Sequence, residues 1–126
     1  MKFKVSVPLL GFPDIKEVEL QKIDDVFMKM QSLEDENVSF TLINPYSLRE
    51  YDFEVPQNVQ ELLNITKDSN LLIFNIVIIQ TPIEESYINF IAPLIFNTDT
   101  GTAAQLIIQD NVDYGVAEKI SDYLKK

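Results

Sequence analysis

The sequence predicts a mainly β fold: a small antiparallel β-barrel-like single domain with one short internal helix and a C-terminal helix. Three observations carry this prediction. Short runs alternate apolar and polar residues, and each is closed by Pro, Gly or an Asn/Asp cluster. One run, Leu71–Ile79, is apolar apart from Asn75 and has no helical spacing, which marks a strand buried on both faces at the centre of the fold. Helical periodicity is confined to two segments, about 56–64 and 115–126.

The elements follow in order. Lys2-Phe3-Lys4-Val5-Ser6-Val7 alternates with period two, and Pro8 ends it because proline cannot donate to a ladder. Gly11-Phe12-Pro13-Asp14 is turn chemistry, after which Lys16–Leu20 alternates as a second strand. Val26–Met30 reads as strand from its β-branched and aromatic content, Leu33–Asn37 as a polar turn, and Val38–Ile43 as a strand ended by Asn44-Pro45. Tyr51–Val55 alternates strictly and is expected to be a strand with aromatics inward and carboxylates outward. Pro56 then opens a helix in which Val59, Leu62 and Leu63 fall on one face. Ser86–Phe96 is β-rich and broken by Pro93. Asn97–Gly101 is a hairpin turn, and Ala103–Gln109 returns as the partner strand. Val116, Ala117, Ile120, Tyr123 and Leu124 form one helical stripe, with Asp113 as its cap and Lys125-Lys126 at the negative end of its dipole.

The 126 residues suit one domain, spanning 1–126, and a 46% hydrophobic content is enough to build a core. Twenty Asp and Glu against ten Lys and Arg leave a net charge of −10, a field that repels nucleic-acid backbones and favours a basic protein partner. The absence of Cys and His removes disulfides, thiol nucleophiles, imidazole bases and the usual zinc ligands, so no metal or organic cofactor is expected. Three glycines, at 11, 101 and 115, cannot form a phosphate-binding loop. No signal-like apolar region and no membrane-length run occurs, so the expectation is a cytoplasmic protein, monomeric on its own. The glycosylation sequons at Asn37 and Asn64 carry no meaning in that setting.

Glu84-Glu85 fails as a catalytic pair, because neighbours on a strand point to opposite faces; it reads as a solvated loop. Asn97–Gly101 offers oxygens but lacks the closing bidentate Glu of a calcium loop. Glu34-Asp35-Glu36 reads as a wet turn. The Tyr51–Glu54 run is the more informative one. Alternation puts Asp52 and Glu54 on one face about 7 Å apart, with Glu50 nearby, and these carboxylates can meet a cationic patch on a partner. The candidate partner-binding residues are therefore Glu50, Asp52 and Glu54, with Glu84 and Glu85 next. An enzyme using only carboxylates, Lys or Ser, and a structural or adaptor subunit of another assembly, are the readings from other classes.

Several segments, in order and spacing, resemble one family: Gly11-Phe12, Met30–Asp35, Phe40 with Ile43-Asn44-Pro45, Tyr51-Asp52-Phe53, Leu62-Leu63, Asn89-Phe90-Ile91-Ala92-Pro93-Leu94-Ile95 with Asn97, and Ala104-Gln105-Leu106-Ile107. Over about residues 8–110 the chain resembles the flagellar assembly factor FliW. The Asn-x-x-Ala-Pro-x-x-x-Asn pattern followed by Ala-Gln-Leu-Ile is the most specific part. The chain departs from family members at Leu9–Pro13, where they carry a Gly-x-Pro-Gly-Phe turn, and beyond Tyr114, where many carry a short His-containing tail. The resemblance implies a non-enzymatic, barrel-like protein with two partners. One is CsrA, an RNA-binding translational repressor that FliW antagonises. The other is flagellin, which displaces CsrA from FliW, so that flagellin translation follows secretion demand.

Overall fold

The alternating runs of the N-terminal third form β1 (Lys2–Val7), β2 (Glu17–Lys22), β3 (Phe27–Ser32) and β4 (Ser39–Ile43), an antiparallel meander in a computed structural model that describes residues 1–109 and 114–124. α1 (Gln57–Leu62) follows, then β5 (Leu71–Ile78), β6 (Tyr87–Ile88), β7 (Leu94–Asn97), β8 (Thr102–Gln105), β9 (Glu118–Lys119) and α2 (Ser121–Leu124). β5 pairs with β4 through Thr41↔Val77 and with β7 through Phe74↔Leu94, and β7 forms a hairpin with β8. β8 then lies parallel to β1, through Val5↔Ala103. Among the described residues this closes a ring of seven strands, and the β1–β8 seam is its parallel pairing. β6 and β9 extend from β5 outside the ring.

Period-two patterning decides what faces inward. Phe3, Val18, Leu20, Met30, Leu42, Phe74, Leu94, Phe96 and Ala103 fill the barrel interior. Phe3 and Phe74 meet Phe96 edge-on, at ring-centroid distances of 5.0 and 6.0 Å. Each such side chain stabilises the fold by about 1.5–3 kcal/mol on burial. The outer faces of β1–β3 are largely solvated, carrying Lys2, Lys4, Glu17, Glu19 and Gln21. The other half of the barrel is not. Residues 44–70 leave β4, cross outside the ring and return as β5. Below α1, Ile73, Ile95, Ala104 and Leu106 pack on Val59 and Leu63. Beside them Ile43, Val77, Ile88 and Phe90 pack under Tyr51, Tyr114 and Ile120. This second layer explains why β5 is apolar on both faces.

Small devices hold the layer in place. A register irregularity between Val5 and Val7 breaks the β1 alternation, so Val5 packs on the interior cluster and Val7 on the outer one. Asn64, at φ 54°, ends α1 in the left-handed region that Asn tolerates. The buried Asn97 donates from Nδ2 to the Leu63 carbonyl at 2.8 Å, tying the helix end to the β7–β8 hairpin. That hairpin turns at Gly101, φ 69°, whose N–H donates to the Asn97 carbonyl at 2.9 Å.

Four expectations need correction. Tyr51–Val55 is not a strand; its alternation in burial is real, but it lies across the barrel surface and pairs with no strand among the described residues. The C-terminal helix does not span 115–126. Residues 116–120 form a turn and β9, Val116 is 68% exposed, and among the described residues of this stretch Ser121–Leu124 is the helical part. The proposed cap Asp113 and the Lys125-Lys126 pair lie outside the described residues. β5 is central, but its last residue, Ile78, and the following Ile79 are exposed, because the covering layer stops short of them. The strand expected over Ala103–Gln109 ends at Gln105, as its β1 neighbour turns away at Pro8.

Candidate partner-binding surface

The segment carrying Glu50, Asp52 and Glu54 is pinned at both ends and in its middle. Asn44 starts it by accepting the Tyr46 N–H at 2.9 Å in a short 3-10 turn that opens on Pro45. Tyr51 is the central pin. Its ring packs among Tyr46, Phe53, Phe90 and Tyr114. Its hydroxyl donates to the Phe90 carbonyl and accepts from Asn75 Nδ2 at 3.1 Å. Asn75 Nδ2 also donates to the Asn89 carbonyl at 2.9 Å, which gives the one polar residue of the apolar run a structural task. Burial, more than any neighbour, pushes the Tyr51 phenol far above its ordinary pKa.

With Tyr51 buried, its neighbours face outward: Glu50, Asp52 and Glu54 are all exposed. Asp52 is held at its backbone, where its N–H donates to the Tyr114 hydroxyl at 2.8 Å and its carbonyl accepts from that hydroxyl at 3.2 Å. Its side chain stays in water, near enough to Tyr46 that its negative charge, after burial, helps raise that phenol's pKa. Charge at these positions can therefore change without disturbing the core.

Glu54 borders an open groove of about 320 Å³ lined also by Val7, Leu10, Pro56, Leu106 and Ile107. Glu84 and Glu85 sit in a separate 3-10 turn, Ile83–Glu85, both exposed. Glu85 is drawn to Lys119 at 3.4 Å, so part of its charge is already answered within the chain. β9 lies between the two acidic sets: its Lys119 reaches Glu85, and its Glu118 reaches Arg49 at 3.7 Å.

Sequence reasoning missed Arg49. Its guanidinium lies over the rings of Tyr114, Phe90 and Tyr123, at 4.8, 5.3 and 5.6 Å from their centroids. It is the only arginine in the chain, which was the available signal. It clamps the C-terminal segment to the 44–56 segment, so the acidic residues rest on a stiff base. Among the described residues no group of three or more Asp and Glu side chains is placed to hold a metal ion. No described helix is long and apolar enough to cross a membrane.

Comparisons with known proteins agree with this architecture. The family model described as FliW protein matches residues 1–120. The flagellar assembly factor FliW of Sulfurimonas denitrificans is 63% identical over 126 residues, covering 100% of both chains. Flagellar assembly factors FliW 1 and FliW 2 of Wolinella succinogenes are each 47% identical, over 128 and 125 residues, covering 100% and 98% of this chain and 100% and 92% of their own. A crystal structure of a flagellar assembly factor FliW shares the fold, with a TM-score of 0.88 at 22% identity, over 94% of this chain and 84% of the other. The chain belongs to the flagellar assembly factor FliW family.

Proposed function

We propose that this protein is a non-enzymatic regulator of flagellar assembly, acting in the cytoplasm by binding CsrA and flagellin in competition. CsrA bound to it is withheld from RNA, and flagellin, when free, takes its place. Family membership supports the regulatory role. The observation that supports a site is the exposed carboxylate series Glu50, Asp52 and Glu54, held on a segment that Tyr51 anchors, in a chain of net charge −10. A basic RNA-binding protein is drawn to such a surface, and charge on a rigid support loses little entropy on docking. Glu84 and Glu85 are the second choice, because Lys119 already answers Glu85.

Co-elution of the full chain with CsrA and with flagellin, separately and then together, tests the reading. Each should bind alone, and flagellin should displace CsrA. The double variant Asp52→Lys, Glu54→Lys should keep its thermal unfolding profile and lose CsrA binding at low salt. A folded variant that binds CsrA as tightly as the parent moves the site away from this segment. A parent that binds neither protein ends the proposal.

A further inference from the structure

The groove beside Glu54 has one wall made of unused backbone. Beyond β8 the chain runs on extended. The Leu106 N–H donates to the Pro93 carbonyl at 2.9 Å and the Ile108 N–H to the Ile91 carbonyl at 2.7 Å. Successive N–H groups of an extended chain point to opposite sides, so the Ile107 N–H and C=O face the other way. Among the described residues neither has a hydrogen-bond partner. On that side β1 would be the neighbour, but its last pairing is Val7↔Ala104, and Pro8 turns the chain away. The departing loop is fixed where it leaves, by the Leu10 N–H donating to Gln105 Oε1 at 2.8 Å. The proline that follows β1 therefore leaves a short open edge on the parallel seam of the barrel.

Two features give that edge a chemistry. Leu10 and Ile107 flank it, 51% and 52% exposed, in a groove whose lining also includes Val7, Pro8, Pro56 and Leu106, with Gln105 and Gln109 as its neutral polar residues. Among the described residues, Glu54 is the sole charged one on its lining. We propose that this edge takes an extended segment of a protein partner as an added strand. An apolar side chain of that segment sits between Leu10 and Ile107, and a Lys or Arg lies opposite Glu54. An added strand satisfies the Ile107 N–H and C=O, the groove supplies apolar burial, and Glu54 selects for a cation. The inference rests on the reading that the chain binds proteins on its Glu54 side, and it specifies the form of what is bound.

The test uses the full isotope-labelled chain and the blocked peptide TVKVT, with TVEVT as its twin. TVKVT should move the amide signals of Val7, Leu10 and Ile107 saturably, and TVEVT should bind at least about tenfold more weakly. Ile107→Pro removes an N–H that has no partner, so the fold should stand while the response at Val7 and Leu10 disappears. Glu54→Lys alters no backbone bond and should reverse the preference between the two peptides, which keeps the test decisive if the proline variant does not fold. The proposal fails if TVKVT leaves these amides unmoved, if the two peptides bind alike, or if a folded Ile107→Pro binds as the parent does. It also fails if concentrating the chain alone moves the same amides, since the occupant is then a second copy. The readout needs neither CsrA nor flagellin: an edge that titrates in a chain that binds neither would sink the proposed function and leave this inference standing.

Discussion

Arg49 and Tyr51 sit two residues apart and do opposite kinds of structural work. Arg49 places a cation over Phe90, Tyr114 and Tyr123 and within reach of Glu118, joining two segments distant in sequence. Each ring contact of this kind contributes about 0.5–1 kcal/mol at partly exposed sites. Arg49→Ala should therefore lower unfolding stability by about 2 kcal/mol in urea titration. Arg49→Lys should recover less than half of the loss, because a compact ammonium cannot stack as a planar guanidinium does. Full rescue by Lys would show that charge alone matters. Tyr51 instead brings a neutral hydroxyl inside. Tyr51→Phe leaves the buried Phe90 carbonyl without its donor and removes one of the two acceptors of the Asn75 amide, at a cost of about 1–3 kcal/mol.

The same phenol predicts a pH dependence. Its pKa is raised on folding, so the protonated form is the one the fold favours. That contribution is fully present below the unfolded value, about 10, and is lost as pH rises from there toward the folded value. Tyr46 and Tyr123 are raised as well, also chiefly by burial, and act in the same direction. Unfolding stability should therefore fall above about pH 10, and Tyr51→Phe should fall less steeply over that range. Parallel curves for parent and variant would contradict the burial of this hydroxyl.

At the scale of elements, the meander β1–β4 and the double-faced β5 could be read from residue patterns because period two and apolar composition report directly on burial. Tyr51–Val55 shows the limit of that signal. Alternation records which side chains are covered, and says nothing of whether another strand lies alongside; here the cover is the barrel wall itself. The C-terminal stripe misled for a related reason. Ile120 is buried and Tyr123 half-buried as the spacing implies, but Glu118-Lys119 pairs with Tyr87-Ile88, a constraint no local period reveals. The carboxylates of the candidate surface could be named from alternation. The groove at Glu54 could not, since Leu10, Glu54 and Ile107 come from three distant stretches. Removing residues 115–126 should leave the barrel interior closed, because no described residue of that segment belongs to the interior cluster. The loss of Ile120 burial and of the Phe90 N–H bond to the Gly115 carbonyl should lower stability by roughly 2–4 kcal/mol. Loss of cooperative unfolding would mean that the outer layer is needed to form the barrel.

The whole molecule combines a half-covered barrel with a net charge of −10, and the two bear on association differently. The covered half holds the 44–56 segment rigid and supplies the exposed carboxylates and the open edge. The summed charge acts at longer range, before any contact forms. A basic partner approaching such a field meets it faster than diffusion alone allows, by about ten- to a thousandfold at low salt. Contacts in a docked interface are in general partly dehydrated and are screened far less. Association and dissociation should therefore respond differently to salt. In stopped-flow measurements with CsrA, raising sodium chloride from about 0.05 to 0.5 M shortens the Debye length from roughly 14 to 4 Å, and the association rate should fall by at least tenfold. The dissociation rate should change much less. Asp52→Lys with Glu54→Lys shifts the net charge from −10 to −6, since each substitution adds two units, and should flatten the salt dependence of association. The variant Glu17→Lys with Glu19→Lys makes the same change in net charge on the bare face of β2. If the two double variants slow association equally, the field acts as a whole. If only the Asp52/Glu54 variant also speeds dissociation, those two carboxylates are in contact with the partner.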